Sequence, residues 1–403
     1  MTAIVSILNK HAVAIAADSA VTFGRKVINS GNKIFTLSKF HPVAIMTYNN
    51  ASYMGTPLDT LIKVFRKKLG EKEFDTVDQY ADEFLKYLHD SSLFSEPECA
   101  DGLINHLVAF YHLMINTAKA EKHIIDEKAP DAYNQLKVTL AKWKIEYSKH
   151  TKSIEFEGYS YDEFVKDAAG VIDDFKKMNK RIAIPDDEYD NFLEVFYTYL
   201  LSDAMYNDYC GIAITGYGKN ELFPALVHIY LSVRIKDRIR YCRIPTFFIG
   251  NGNTSARIIP FAQTKTEQTI VNGIHPDIKS LITTSFTNIM NDIGKKIPGF
   301  DGWKYAKLFN DEIDDYIKDN LTGPFMDTVV HLNKEDMADV AENIVYLTSL
   351  MKKVSPEEET VGGPVDVAVI SKGDGFVWMK RKHYFEPEMN PHFIHNYFKK
   401  NEE

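Results

Sequence analysis

The sequence predicts an α+β protein, and three observations support this fold class. Two short apolar runs rich in Val and Ile open the chain, strand-like segments return after residue 210, and the long stretch between them has helical periodicity. Blocks of strands separated by a block of helices are typical of α+β folds. With 403 residues, the chain is long enough for one large domain or two ordinary ones.

The N-terminal segment predicts two buried antiparallel strands. Residues 3–8 and 12–17 are apolar, and residues 9–11 separate them as a tight turn. Thr2 is therefore expected at the edge of a packed sheet. The small residue after Met1 favours removal of that methionine, which would leave Thr2 with both a hydroxyl and a free α-amine.

A Thr hydroxyl beside a free α-amine indicates nucleophilic catalysis. The hydroxyl alone is a poor nucleophile, and an adjacent amine can take its proton. An α-amine has a reference pKa of about 7.7–8.0, which suits a general base near neutral pH. Lys33 would lower this pKa further, and Asp18 is expected to pair with Lys33 and hold it in place. Taken singly, each of these three residues is more often structural.

The order of these residues resembles a known family. The stretches T-A-I-V-S-I, A-A-D-S-A-V-T-F-G and N-K-I are similar to the N-terminus of proteasome β-subunits and of the proteolytic subunit of the bacterial two-component ATP-dependent protease. Both use an N-terminal Thr, an Asp and a Lys, which correspond to Thr2, Asp18 and Lys33. The stretch between Asp18 and Lys33 is one residue shorter than is usual in the family.

The resemblance extends over residues 1–70, roughly 211–260 and about 334–380, and it implies two further catalytic positions. Asn251 lies in a Gly-Asn-Gly turn where the family often has a Ser near the terminal amine. Glu358 matches an acidic position that orients the terminal Thr, although Val361 stands where a Ser is usual. The alternatives are an ordinary glycine-rich turn for Asn251 and a solvated acid for Glu358.

The resemblance also implies a substrate pocket beside Thr2. By position, Val21 and Ile45 are expected to line it, which would favour apolar side chains, and Thr47 begins the turn that carries the oxyanion hole. The family usually has Gly in that turn, whereas this chain has Thr47, Tyr48, Asn49 and Asn50. A backbone N–H is still available there, but side chains other than Gly restrict the backbone angles.

The remaining elements follow from local patterns. The sequence predicts strands at Ile34–Leu37, Pro42–Thr47, Gly211–Gly216, Ala225–Ile235 and Tyr241–Ile249, a closing hairpin of Val365–Ile370 and Phe376–Met379, and helices at Met54–Leu69 and Lys334–Lys353. Residues 75–208 and 254–331 are expected to be mainly helical.

The resemblance implies a four-layer αββα sandwich built on two antiparallel sheets. We expect a single domain over residues 1–403, with an inserted helical subdomain at 75–208. A second, smaller helical enlargement is expected at 262–331. Neither enlargement has a function that the sequence identifies.

Composition excludes several classes of function. Hydrophobic residues make up 45% and charged residues 26%, which is ordinary for a soluble globular protein, and a net charge of −9 argues against nucleic acid as a partner. With no membrane-length apolar stretch and no signal-type N-terminus, we expect no membrane contact and a cytoplasmic protein. The chain has three scattered cysteines, and this odd number argues against a disulfide framework. The sequence has no phosphate-binding glycine motif and no zinc-spaced histidines, and so we expect no cofactor and no metal.

These observations predict hydrolysis of peptide or amide bonds through an acyl-enzyme on Thr2. The resemblance also suggests a homo-oligomer, such as a ring, although the helical enlargements could block ring contacts, and no ATPase partner is identified. Two alternatives stay open. The first is a non-catalytic scaffold subunit, which the altered oxyanion turn, Asn251, Val361 and Met1 ahead of Thr2 favour. The second is an amidase that acts on a small amide in a closed pocket.

Overall fold

The computed structural model describes residues 2–23, 26–122, 130–178, 184, 188–206, 208–250, 254–262, 264–355, 361–383, 385–392 and 395. Within these residues the strands form two five-stranded antiparallel sheets and two short hairpins. The fold is therefore mixed, with helices and antiparallel sheets, as the sequence predicts.

The strands, in chain order, are β1 Ala3–Asn9, β2 Val13–Ala17, β3 Val21–Phe23, β4 Lys26–Ile28, β5 Ile34–Thr36, β6 Val43–Asn49, β7 Ser52–Tyr53, β8 Thr56–Pro57, β9 Cys210–Gly216, β10 Ala225–Ile235, β11 Arg238–Phe248, β12 Ala256–Ala262, β13 Asp366–Ser371 and β14 Gly375–Lys380.

The helices are α1 Leu58–Leu69, α2 Val77–Leu88, α3 Glu96–Lys122, α4 Pro130–Lys149, α5 Tyr161–Asp167, α6 Ala169–Met178, α7 Tyr189–Leu201, α8 Thr264–Asn272, α9 Pro276–Lys296, α10 Gly302–Ile317, α11 Gly323–His331 and α12 Lys334–Val354. A π-helical segment, Lys318–Thr322, connects α10 to α11.

The first sheet has the order β12-β1-β2-β13-β14 and the second has the order β11-β10-β9-β6-β5. β1 and β2 pair across the tight turn with Ile4 opposite Ala17. Every residue of both strands is buried, because each face of the first sheet is covered. Continuous apolar runs such as these are typical of strands that are buried on both sides.

The two sheets face each other across a shared apolar cluster. This cluster combines Ile4 and Ile15 of the first sheet with Ala44, Met46 and Ala213 of the second. Alternate residues of β6 have a different environment: Val43 and Ile45 join the cluster that includes α1 and α2. The alternation follows from the two-residue period of a strand.

Helices cover the outer faces of both sheets. α12 contacts β1, β2 and β13, and Met337, Ala341 and Ile344 of this helix are buried with Val5 and Ile7. α2 contacts β9 and β10, and α3 contacts β10. The amphipathic patterns of these helices therefore bury their apolar sides on the sheets.

Two sequence predictions were wrong in detail. The helix predicted from Met54 begins at Leu58 instead, because Met54 and Gly55 have positive φ angles of 46° and 75° and form the turn between β7 and β8. A left-handed backbone cannot continue into a right-handed helix. The prediction of a helical region from residue 254 missed β12, an edge strand that contains Pro260, where proline is tolerated.

Candidate active site

Thr2 lies immediately before β1, at one end of the first sheet, and is 5% exposed. It forms part of the wall of a cavity of about 690 Å³ that also reaches Lys33, Thr47 and the turn up to Asn50. The neighbouring Ala3 N–H donates to Asp18 Oδ1 at 2.9 Å. The backbone beside Thr2 is therefore fixed to the end of β2.

Asp18 and Lys33 form a buried ion pair. Lys33 Nζ lies 2.6 Å from Asp18 Oδ1, and the two side chains are 6% and 1% exposed. Asp18 Oδ2 accepts hydrogen bonds from the N–H groups of Ala20 and Gly362, both at 3.1 Å. These donors satisfy the remaining acceptor capacity of the carboxylate, which a buried charge requires.

The position of Lys33 sets its electrostatics. Burial lowers the pKa of Lys33 below that of an exposed lysine, and the neighbouring Asp18 carboxylate opposes the shift. The Lys33 carbonyl accepts the Thr47 N–H at 2.9 Å, which joins the start of β5 to β6. A cation with a fixed backbone and a fixed counter-ion lies at the same cavity as Thr2.

The predicted substrate-binding residues separate into two groups. Val21 and Thr47 line the cavity with Thr2. Ile45 lies on the other face of β6, in the buried cluster with Leu58 and Phe65 of α1, and is not part of the described cavity wall.

The oxyanion turn expected from Thr47 starts later, because Thr47, Tyr48 and Asn49 still pair with β9 as the end of β6. The backbone at this strand end is distinctive. Asn49 has a φ of 65°, in the left-handed region that favours glycine but that Asn also adopts. The N–H of Thr47 donates to Lys33, and the N–H of Asn50 donates to the Tyr209 carbonyl at 3.3 Å. Neither of these two amides is therefore directed at a substrate.

Asn251 and Glu358 lie outside the described residues. The chain is described again from Val361, and there it contacts the site directly. Gly362 donates to Asp18, and its carbonyl accepts the Ser19 N–H at 3.1 Å. Ser19 Oγ donates to the Pro364 carbonyl at 2.5 Å. The structure thus brings together Thr2, Asp18 and Lys33 with the chain around Gly362.

Sequence reasoning missed a polar chain that supports the cavity rim. Asn50 Nδ2 donates to Asp208 Oδ1 at 2.9 Å, and Asp208 Oδ2 lies 2.7 Å from Nδ1 of His106 on α3. Burial opposes ionisation of Asp208, but the hydrogen bonds from His106 and Asn50 hold its pKa below the usual range. These residues are far apart in the sequence, and no local motif joins them.

The described residues contain no group of three or more His, Cys, Asp or Glu side chains placed to hold a metal ion. Cys99, Cys210 and Cys242 are free thiols. Within the described ranges, each helix is too short or too polar to span a lipid bilayer.

Comparison with known proteins gives weak structural similarity only. No protein-family model and no curated protein matches the chain. The chain is similar to the solved Anbu complex from Pseudomonas aeruginosa, described as a helical assembly, at 8% identity and a TM-score of 0.32, over 98% of this chain and 93% of that chain. Anbu from Hyphomicrobium sp. strain MC1 is similar at 11% identity and a TM-score of 0.30, over 100% of this chain and 99% of that chain. Anbu (ancestral beta-subunit) from Yersinia bercovieri is similar at 8% identity and a TM-score of 0.28, over 98% of this chain and 91% of that chain.

These comparisons correct the family assignment made from the sequence. The assignment to proteasome β-subunits and the two-component protease is wrong, because no family model matches the chain and the similar solved structures carry the name Anbu. Similarity at these TM-scores does not define the fold, which rests here on the strand order and on the contacts between the sheets.

Proposed function

We propose that the protein hydrolyses peptide or other amide bonds, with the Thr2 hydroxyl as the nucleophile once Met1 is removed. The observation that carries the proposal is the buried Asp18–Lys33 ion pair at the cavity that Thr2 lines. A buried ion pair costs desolvation energy that apolar residues would avoid. Its position at the cavity that Thr2 lines gives that cost a catalytic purpose.

The chemistry needs only groups of this chain and water. The Thr2 α-amine takes the hydroxyl proton as Oγ1 attacks the substrate carbonyl carbon. The C–N bond then breaks, the leaving amine receives the proton, and an ester remains on Thr2. Water, activated by the same amine, hydrolyses the ester and releases the carboxylate product.

Lys33 would tune the base in this scheme. A cation beside the α-amine favours its neutral form, which is the form that accepts a proton. Asp18 would keep Lys33 directed at the site and, through the Ala3 N–H, hold the first strand against it. Asn251 and Glu358 remain proposed as secondary orienting groups, and Val21 and Thr47 as residues that contact substrate.

We propose for the architecture that the two sheets with their outer helices form a four-layer αββα sandwich. Residues 75–208 would be an inserted helical subdomain, and residues 262–331 a smaller enlargement of the same domain. The contacts of α12 with one sheet and of α2 with the other support this arrangement.

We also propose that the protein self-associates. Large apolar side chains are exposed on α9 and α10, which pack on each other, and on α12: Ile278, Leu281, Ile289, Trp303, Leu308, Leu350 and Val354. Exposed apolar side chains that form a contiguous patch mark interaction sites. Sedimentation velocity tests the proposal, and a monomer at every protein concentration would contradict it.

The catalytic proposal is tested by labelling. The purified protein is treated with an electrophile that captures a Thr hydroxyl together with its amine, and the adduct is located by mass spectrometry. We expect one adduct on wild type and on Ser30→Ala, which changes another residue of the cavity wall, and none on Thr2→Ala. Equal labelling of Thr2→Ala would exclude Thr2 as the nucleophile.

The intact mass tests the alternative of a non-catalytic scaffold. Two observations favour that alternative. The oxyanion turn lacks glycine, and the Thr47 N–H already donates to the Lys33 backbone carbonyl. Retention of Met1 in the purified protein would support the scaffold. Loss of Met1 together with labelling would support the hydrolase.

A further inference from the structure

A second cavity, of about 430 Å³, lies on the other side of the segment that leads into β5. It shares Ser30 and Asn32 with the candidate catalytic cavity, and α1 passes both cavities, with Asp59 at the first and Arg66 at the second. We call it the cationic cavity, because its wall includes Lys63, Arg66, Arg381, Lys382 and His383.

The charge of this wall is one-sided. Five of its described residues are basic, and none of its described residues is acidic, although the chain as a whole carries a net charge of −9. Basic side chains collected in a concave, partly apolar site concentrate positive potential there. In an acidic protein, such a collection is unexpected unless an anion uses it.

Two of the cations are neutralised by carboxylates outside the wall. Lys382 pairs with the buried Asp366, and its backbone N–H donates to the same carboxylate at 2.9 Å. Lys63 Nζ lies 2.5 Å from Asp59, in an exposed pair along one turn of α1. These contacts fix the positions of both lysines at the edge of the cavity.

The wall also holds two arginines. The Arg381 guanidinium lies 4.7 Å from the centre of the Trp378 ring, a contact that leaves its charge intact. Arg66, on α1, donates from Nη1 to the hydroxyl of Thr36 at 2.8 Å, among other contacts. Guanidinium groups are suited to two-point recognition of carboxylates and phosphates.

The rest of the wall is mixed. It has the apolar and aromatic side chains of Ile34, Pro364, Trp378 and Phe385, beside the polar Asn29 and Asn32. A volume of this size lies within the range of roughly 300–1,000 Å³ that is typical of small-molecule sites. The wall thus combines an anion-binding end with a surface that suits an apolar group.

We propose that the cationic cavity binds a small anion, a carboxylate or phosphate attached to an apolar body. This inference goes beyond the proposed hydrolase activity and does not depend on Thr2. The anion has two possible sources. It is either the acidic end of a molecule that also occupies the catalytic cavity or a separate small ligand.

The probe for the test is phenyl phosphate, titrated by calorimetry into the full-length protein, with benzyl alcohol as the uncharged counterpart. We expect saturable binding of phenyl phosphate that weakens as ionic strength rises, and no comparable binding of benzyl alcohol. Arg381→Gln and Arg66→Gln should each weaken binding by about tenfold or more.

The matched control is Arg257→Gln. Arg257 also lies over an aromatic ring, that of Phe247 at 4.6 Å, but is not part of the cavity wall described above. This variant should bind phenyl phosphate as wild type does. Absence of saturable binding, equal weakening in Arg257→Gln, or equal binding of benzyl alcohol would each overturn the proposal.

Two further experiments are needed. The first separates the anion-site proposal from the hydrolase proposal, and the second separates the two sources of the anion. Thr2→Ala should bind phenyl phosphate normally, and so a failed hydrolase would leave the anion site standing. Displacement of phenyl phosphate by a short peptide with a free carboxylate, but not by its amide, would identify the substrate terminus as the source. Retention in the presence of both peptides would identify a separate anion.

Discussion

Asp18 Oδ1 lies 2.6 Å from Lys33 Nζ and accepts the Ala3 N–H with the same oxygen. One buried carboxylate thus joins the cation of the candidate site to β1, the strand that follows Thr2. The site and the stability of the first sheet therefore depend on the same interaction.

Lys33→Met should destabilise the protein strongly. Removal of one partner of a buried ion pair leaves the other charge uncompensated, at a cost of roughly 3–5 kcal/mol. Urea unfolding followed by circular dichroism measures the change. Lys177→Met, which breaks the exposed Lys177–Asp174 pair on α6, should leave the unfolding midpoint unchanged. A Lys33→Met midpoint equal to that of wild type would contradict the buried pair.

Glu267 should make stability depend on pH. This residue is 1% exposed, and its Oε2 has no hydrogen-bond partner among the residues that the structure describes. Burial raises its pKa from 4.5 to about 7. Between pH 4.5 and about 7, the folded state keeps the Glu267 proton that the unfolded state has lost. The free energy of unfolding therefore falls as pH rises through this window.

Glu267→Gln should therefore stabilise the protein at pH 8, by up to about 3 kcal/mol at 1.36 kcal/mol per pKa unit, and have little effect at pH 4.5. Unfolding curves of both proteins at the two pH values measure this difference. A gain of equal size at pH 4.5 would show that ionisation is not the cause.

Gly211→Ala should destabilise the protein by displacing the Tyr48 ring at the candidate site. A Cβ at Gly211 would lie 2.2 Å from the ring of Tyr48, which is a member of the cavity wall. Overpacking of this kind costs about 1–3 kcal/mol. Gly170→Ala, in α6, meets no atom within 4 Å and should be neutral or stabilising. Thermal unfolding of the two variants makes the comparison, and equal midpoints would count against the described packing of Tyr48.

Asn49→Val should be destabilising because Asn49 has a φ of 65°. A β-branched side chain in the left-handed region costs roughly 1–2 kcal/mol, and the hydrogen bond from Asn49 Nδ2 to the Tyr209 carbonyl would also be lost. Asn49→Gly loses the same hydrogen bond without the steric cost and should be the more stable of the two. The opposite order in chemical unfolding would exclude a left-handed backbone at this position.

Much of the fold could be predicted because the patterns are local. The apolar runs of β1 and β2, the alternation of β10 and the amphipathic spacing of α12 depend on neighbouring residues, and the structure has these elements where the sequence predicts them. β12 was missed because an edge strand with a proline and polar neighbours has no strong period of its own.

The sequence by itself determined that Asp18 would lie beside the first residues of β1, since a tight hairpin suffices to bring them together. The meeting of Asp18 with Lys33 was expected from the family resemblance, and it depends on the packing of the two sheets, because Lys33 precedes β5 of the second sheet. Only the tertiary structure decided which groups surround them. The Gly362 N–H on Asp18, Asp208 beneath Asn50 and the arginines of the cationic cavity come from segments that are distant in the chain. Their contacts arise from the packing of sheets and helices, which no local pattern encodes.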